Sequence, residues 1–186
     1  ASILKLTQLK NLKISIFNNN NIQDSSAKEL SKALSALSQL EEVELIMSKC
    51  TAITEQGFSK ILGGLSKSVS LKQLGFFARE CNYDIKLLAQ AIGNIKSLSK
   101  LELGLTENKV SEKALFYLGQ NINGLKHLSH LKLLSDGQKA HELLENTIKP
   151  LGNLKKLTTY QLEFLGTTNM TEESIEILSN FLNSHL

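Results

Sequence analysis

Residues Leu98-Ser99-Lys100-Leu101-Glu102-Leu103-Gly104-Leu105-Thr106-Glu107-Asn108-Lys109-Val110 decide how this chain folds. Leu101, Leu103 and Leu105 alternate with other residues at a period of two, which reads as a short strand with one buried face. Leu98 stands three positions before the first of them, and Asn108 three after the last. Outward from this stretch the same spacing recurs as Leu6/Leu9/Leu12/Ile14/Ile16, Leu37/Leu40/Val43/Leu45/Met47 and Ser68/Leu71/Leu74/Phe76/Ala78. Ile95/Leu98/Leu101/Leu103/Leu105, Leu125/Leu128/Leu131/Leu133/Ser135 and Leu154/Leu157/Tyr160/Leu162/Phe164 continue it. With Leu9, Leu40, Leu71, Leu98, Leu128 and Leu157 as origins, the intervals are 31, 31, 27, 30 and 29 residues. Self-similarity at such a period means one supersecondary unit per copy.

A second column follows each strand: Asn19, Cys50, Cys81, Asn108, Gln138 and Thr167. Helical patterns come next. Ala27/Leu30/Leu34/Leu37, Phe58/Ile61/Leu62/Leu65 and Leu88/Ile92 each share one face, as do Leu115/Leu118/Ile122, Leu143/Leu144/Ile148 and Ile175/Leu178/Leu182. Asp24 and Ser25 are placed to cap the first helix, Ser111 the fourth and Thr171 the sixth, with Glu172 and Glu173 in its first turn. Pro150 falls at the tail of the fifth, and Gly63-Gly64 reads as a helix end or loosened turn. Strands alternating with helices form a parallel sheet with helical crossovers. One such unit cannot bury its apolar face alone, so neighbours must stack.

At these residues the chain resembles leucine-rich-repeat proteins of the ribonuclease-inhibitor type, over essentially its whole length. The Asn/Cys alternation after the strand is similar to that family's, whose side chain at this place hydrogen-bonds turn backbone inside the solenoid. Longer strands, uneven repeats, and Gln138 and Thr167 in place of Asn depart from the pattern. The resemblance implies an α/β leucine-rich-repeat solenoid of about six repeats, a right-handed curved horseshoe with a concave parallel β-sheet and convex helices. Residues 1–186 then form a single repeat domain. Ile3 and Leu6 match Leu34 and Leu37, and Asn183 to Leu186 stop where a seventh strand would begin. The chain also opens on Ala1 rather than Met. The expectation is a segment of a longer repeat array.

Composition narrows the function. Hydrophobic and charged fractions of 41% and 21% are those of a globular protein, and a chain of this length buries about 70% of its unfolded surface. No apolar run reaches the roughly 18 residues of a membrane span and no signal peptide opens the chain, so no membrane partner is expected. The net charge of +3 comes almost wholly from scattered lysines; Arg79 is the only arginine, and aromatics are 5%. Nucleic-acid binders cluster arginine beside stacking aromatics, so no nucleic acid is expected either. Cys50 and Cys81 lie one repeat apart, hence in adjacent coils and within disulfide reach. Two reduced, buried thiols are the favoured reading. With no paired cysteines near the ends, it points to the cytoplasm.

The sequence shows no enzyme. His127, His130, His141 and His185 lack the spacing of a metal site. No nucleophile elbow or phosphate loop is present, so no cofactor and no small-molecule substrate are expected. What remains is the solvent side of the strands, where alternate residues project. Two positions after each origin stand Asn11, Glu42, Gln73, Lys100, His130 and Thr159; four after, Lys13, Glu44, Gly75, Glu102, Lys132 and Gln161; six after, Ser15, Ile46, Phe77, Gly104, Leu134 and Glu163. Ile46 and Phe77 should be neighbours, with Gly104 separating them from Leu134, and polar residues should rim this apolar patch as in a binding hot spot. The candidate partner-binding residues are Glu42, Glu44, Ile46, Gln73, Phe77, Lys100, Glu102, His130, Lys132 and Leu134. Glu41, Glu42 and Glu44 make an acidic spot beside Lys10, Lys13 and Lys72, which reads as solvated cross-strand neighbours. The leading function is a non-catalytic scaffold whose protein partner lies on the concave face. Alternatives are a regulator of a small GTPase, with Arg79 as the arginine-finger candidate, and a structural segment of a larger assembly.

Overall fold

The computed structural model describes residues 6–81, 83–166 and 168–184, apart from the side chains of Gln138 and Asn153. Strands β1 (Asn11–Phe17), β2 (Glu42–Ser48), β3 (Gln73–Phe77), β4 (Lys100–Gly104), β5 (His130–Asp136) and β6 (Thr159–Leu165) form one sheet in chain order, all parallel. Helices α1 (Asp24–Ser35), α2 (Glu55–Leu65), α3 (Lys86–Gly93), α4 (Glu112–Asn123), α5 (Ala140–Leu143) and α6 (Glu172–Asn183) alternate with them. The chain is a leucine-rich-repeat-like α/β solenoid. Strands sit about 4.8 Å apart and packed helices 8–10 Å, so the sheet is the concave wall.

Leu12, Val43, Leu74, Leu101, Leu131 and Tyr160 stand in register across the sheet and point into one core. Val43, Leu74, Leu101 and Leu131 are at most 1% exposed. Leu12 and Tyr160 are half-buried, since β1 and β6 each pair on one side only. The helices complete the core with Leu34, Phe58, Ile92, Leu118 and Ile177.

Gly63 and Gly64 lie in the last turn of α2, at the helix end expected of them. A Cβ on Gly64 would sit 2.5 Å from the carbonyl oxygen of Ser31, so the glycine lets α1 and α2 approach closely. The fifth helical segment is broken: α5 is flanked by 3-10 turns at Gly137–Lys139 and Lys149–Asn153 and a π turn at Leu144–Ile148. Pro150 lies at the start of the last turn, where a missing N–H costs little.

The turns after β2, β3 and β4 are tied to the preceding coil. Cys50 Sγ reaches the carbonyl of Ile16 at 3.9 Å, Cys81 Sγ that of Met47 at 3.0 Å, and Asn108 Nδ2 donates to that of Ala78 at 2.6 Å. Asn108 Oδ1 also accepts from the Cys81 N–H at 2.9 Å. The inward role expected of this column therefore holds at Cys50, Cys81 and Asn108. Thr167 and the Gln138 side chain lie outside the described residues, as do Ile3 and His185. Both cysteines are free and buried, and burial pushes the Cys81 thiol up to about 11.

One residue earlier in each of the first four turns, the backbone is left-handed: Asn18, Lys49, Glu80 and Glu107 have φ of 51, 57, 55 and 57°. This aims the N–H at the next coil, so Asn18 donates to the Ser48 carbonyl, Lys49 to Arg79 and Glu80 to Thr106. At Glu107 the acceptor is the Asp136 carboxylate, 2.9 Å from the N–H. A side chain substitutes for a carbonyl where the fifth turn departs from the pattern.

Carboxylates also cap the helices of following coils. Asp24 is the first residue of α1 and leaves that helix uncapped, correcting its expected role. Its Oδ1 accepts from the Thr54 N–H at 2.8 Å and its Oδ2 from the Thr54 hydroxyl at 2.6 Å, at the start of α2. Asp84 does the same for Ser111, which caps α4 as expected, and Thr171 caps α6 in a reciprocal box with Ser174.

Urea unfolding tests these turns with three variants. Asn108→Ala strands buried backbone groups and lowers stability by about 2 kcal/mol. Glu80→Gly relieves the left-handed backbone and raises it by about 1 kcal/mol despite losing exposed ion pairs, whereas Glu80→Val lowers it.

Candidate functional site: the concave sheet face

All ten candidate residues stand on the solvent side of the sheet, in the rows expected of them. Glu42, Gln73, Lys100 and His130 are successive partners across the strands, as are Glu44, Gly75, Glu102 and Lys132, and Ile46, Phe77, Gly104 and Leu134. The period of two puts them there: Val43, Leu45 and Met47 go inward and leave Glu42, Glu44 and Ile46 outward.

The two rows nearer the strand starts are charged and largely self-neutralising. Lys13 pairs with Glu44, Lys100 with Glu102 and Lys132 with Glu163, each at 2.8 Å. Such exposed pairs contribute about 0–1 kcal/mol each, and they order the surface more than they stabilise it. The hydrogen bond that the Lys100 ammonium donates to Glu102 holds it above its ordinary range. A hollow of about 150 Å³ is lined by Glu42, Glu44, Gln73, Gly75, Lys100 and Glu102. A second hollow of about 190 Å³ lies between Lys100, His130, Lys132 and Gln161. His130 is exposed, with Nδ1 2.8 Å from the Ser129 hydroxyl. Glu41 is claimed by Lys10 at 2.7 Å, while Lys72 joins no ion pair with a described residue.

The third row is apolar and half-buried at Ile46, Phe77 and Leu134. Gly104 stands between Phe77 and Leu134 in this row, as expected, and the Phe77 ring leans over it. A Cβ on Gly104 would sit 2.7 Å from Phe77 Cδ1, and one on Gly75 3.1 Å from Phe77 Cε2. The ring therefore lies down across both glycines, bridging β3 and β4, and Gly104 is buried beneath it.

A fourth row was missed in the sequence. Phe17, Ser48, Arg79, Thr106, Asp136 and Leu165 come eight residues after the origins; Ser48 and Thr106 are buried, while Phe17, Arg79 and Leu165 are exposed past the apolar row. Phe17 is 64% exposed and Leu165 45%, and Lys49 Nζ lies 5.7 Å from the Phe17 ring. The signal was the extra alternation in the longer strands. Arg79, the arginine-finger candidate, is held by two carboxylates, Glu80 at 3.4 Å and Glu107. Among the described residues no group of three or more His, Cys, Asp or Glu is placed to hold a metal.

No family model and no curated protein matches this chain. Among solved structures, the tropomodulin C-terminal domain of Caenorhabditis elegans matches with a TM-score of 0.51 at 12% identity, over 99% of this chain and 91% of that one. A leiomodin-1 segment described as its actin-binding site 2 gives 0.44 at 10% identity, over 93% and 79%. The first likeness is one of fold alone.

The seating of Phe77 is measurable. Gly104→Ala displaces the ring and costs about 1 kcal/mol. With Phe77→Ala already present, the same change costs nothing or stabilises the strand. A double-mutant cycle in urea reads the difference.

Proposed function

We propose that the chain is a non-catalytic protein-interaction scaffold of the ribonuclease-inhibitor-like repeat type, which holds a protein partner against its concave face. Ile46, Phe77 and Leu134 form the centre of the contact, and Glu42, Glu44, Gln73, Lys100, Glu102, His130 and Lys132 its polar rim. The observation that carries this reading is the Phe77 ring, spread flat over Gly75 and Gly104 between two further apolar side chains. An aromatic already ordered on its seat loses little entropy on binding, and interface hot spots favour apolar centres with polar surrounds. Two free thiols in the core suit a reducing compartment, which supports work in the cytoplasm. None of the described helices is long and apolar enough to cross a membrane. The engagement of Arg79 by Glu80 and Glu107 leaves the GTPase-regulator reading without a supporting observation.

The chain immobilised as bait should capture a partner from soluble extract. Phe77→Asp and Leu134→Asp should each weaken that capture by about 30-fold or more, with circular dichroism and unfolding midpoint close to those of the parent chain. Undiminished capture by both variants would remove the concave face as the site.

A further inference from the structure

The loops that lead from each helix into the next strand line one edge of the solenoid, away from the concave rows. In the loops entering β3 to β6 they carry Lys67, Lys72, Lys96, Lys126, Lys155 and Lys156, all exposed. No Asp or Glu occurs in residues 66–72, 94–99, 124–129 or 154–158. Lys96, Lys126 and Lys155 each stand two residues before the repeat origin, so they recur at one place on successive coils. None of the six forms an ion pair with a described residue, although Lys10, Lys13, Lys49, Lys100 and Lys132 all do.

The bland account is that these cations complement the helix C-termini that end here. Lys126 does so directly, donating to the Asn123 carbonyl at 2.7 Å. Yet a helix end carries about half an elementary charge, so the helical segments ending at Leu65, Gly93, Asn123 and Asn153 offset roughly two of the six lysine charges. The opposite edge shows what balance looks like: there Lys49 and Arg79 are matched by Glu80 and Glu107.

A depression of about 440 Å³ opens into this edge. Lys72, Lys96 and His127 stand around it beside the Asn94 side chain, and Val69, 82% exposed, makes an apolar wall. We infer that this edge is a second docking surface, and that its occupant is an acidic polypeptide segment laid across the coils in extended form. Alternate side chains of an extended chain lie about 6.7 Å apart. That falls between the coil spacing at the sheet, about 4.8 Å, and at the helices, up to about 10 Å, so successive carboxylates meet successive lysines. A nucleic acid fits less well, because no aromatic stands in these loops for bases to stack on and the single arginine lies on the other edge. An anionic bilayer is flat, whereas this edge is indented, and the loops entering β3 to β6 offer one exposed large apolar side chain, Val69.

Fluorescein-labelled decaglutamate, titrated against the full chain by anisotropy, tests the inference. Binding should weaken steeply with salt and fall by at least about tenfold in the triple variant K96E/K155E/K156E. The milder K96Q/K155Q/K156Q should lose binding in the same direction and guards against misfolding of the first. K28E/K109E/K113E, which changes net charge equally but lies off this edge, should bind as the parent does, and so should Phe77→Asp. The inference fails if the edge variants keep their affinity, or if the off-edge triple loses as much. It also fails if a single-stranded oligonucleotide or phosphatidylserine vesicles bind through these lysines while decaglutamate does not.

Discussion

Val43 is dry only because the coil of Leu12 lies on one flank and that of Leu74 on the other. That dependence of every coil on its neighbours governs the whole molecule. A strand–turn–helix unit has one apolar face along its inside and open flanks, so burial is completed between coils and not within them. The half-exposed Leu12 and Tyr160, on the two edge strands, show what a strand residue keeps when a coil lies on one flank alone.

Polar chemistry enforces the register that this burial requires. Cys50, Cys81 and Asn108 bond backward to the carbonyls of Ile16, Met47 and Ala78, while the left-handed residues before them turn their N–H groups forward. Asp24 and Asp84 reach the helix starts of later coils. The strain of a left-handed Lys or Glu, about 1–2 kcal/mol each, is offset by the buried backbone pairings it makes. Where the fifth turn abandons the pattern, the Asp136 carboxylate supplies the acceptor.

Register also writes the surface. Once strands align residue for residue, the concave wall acquires regions of separate character: charges pair within and between rows, and the apolar Ile46, Phe77 and Leu134 share one row. The loop edge differs again: beyond the Lys10–Glu41 pair, the loops entering β3 to β6 carry lysines that form no ion pair with a described residue. The two surfaces would recognise different chemistry, one through a desolvated aromatic centre and the other through long-range charge that salt screens.

The amino-acid sequence by itself determined the number of coils, the parallel order, and the inward or outward sense of the strand residues up to the third outward row. Periods of two and of about thirty are local or repeating, and six copies reinforce one another. It also carried the inward role of Asn108. Tertiary structure alone decided the rest. Phe77 folds onto a glycine of its own strand and one of the next, Gly64 lets α1 approach, and Asp24 serves α2 instead of α1. Arg79 is taken by Glu107. Most of these contacts join residues about one repeat apart, and their geometry depends on how two coils sit side by side, a distance that no spacing along the chain expresses.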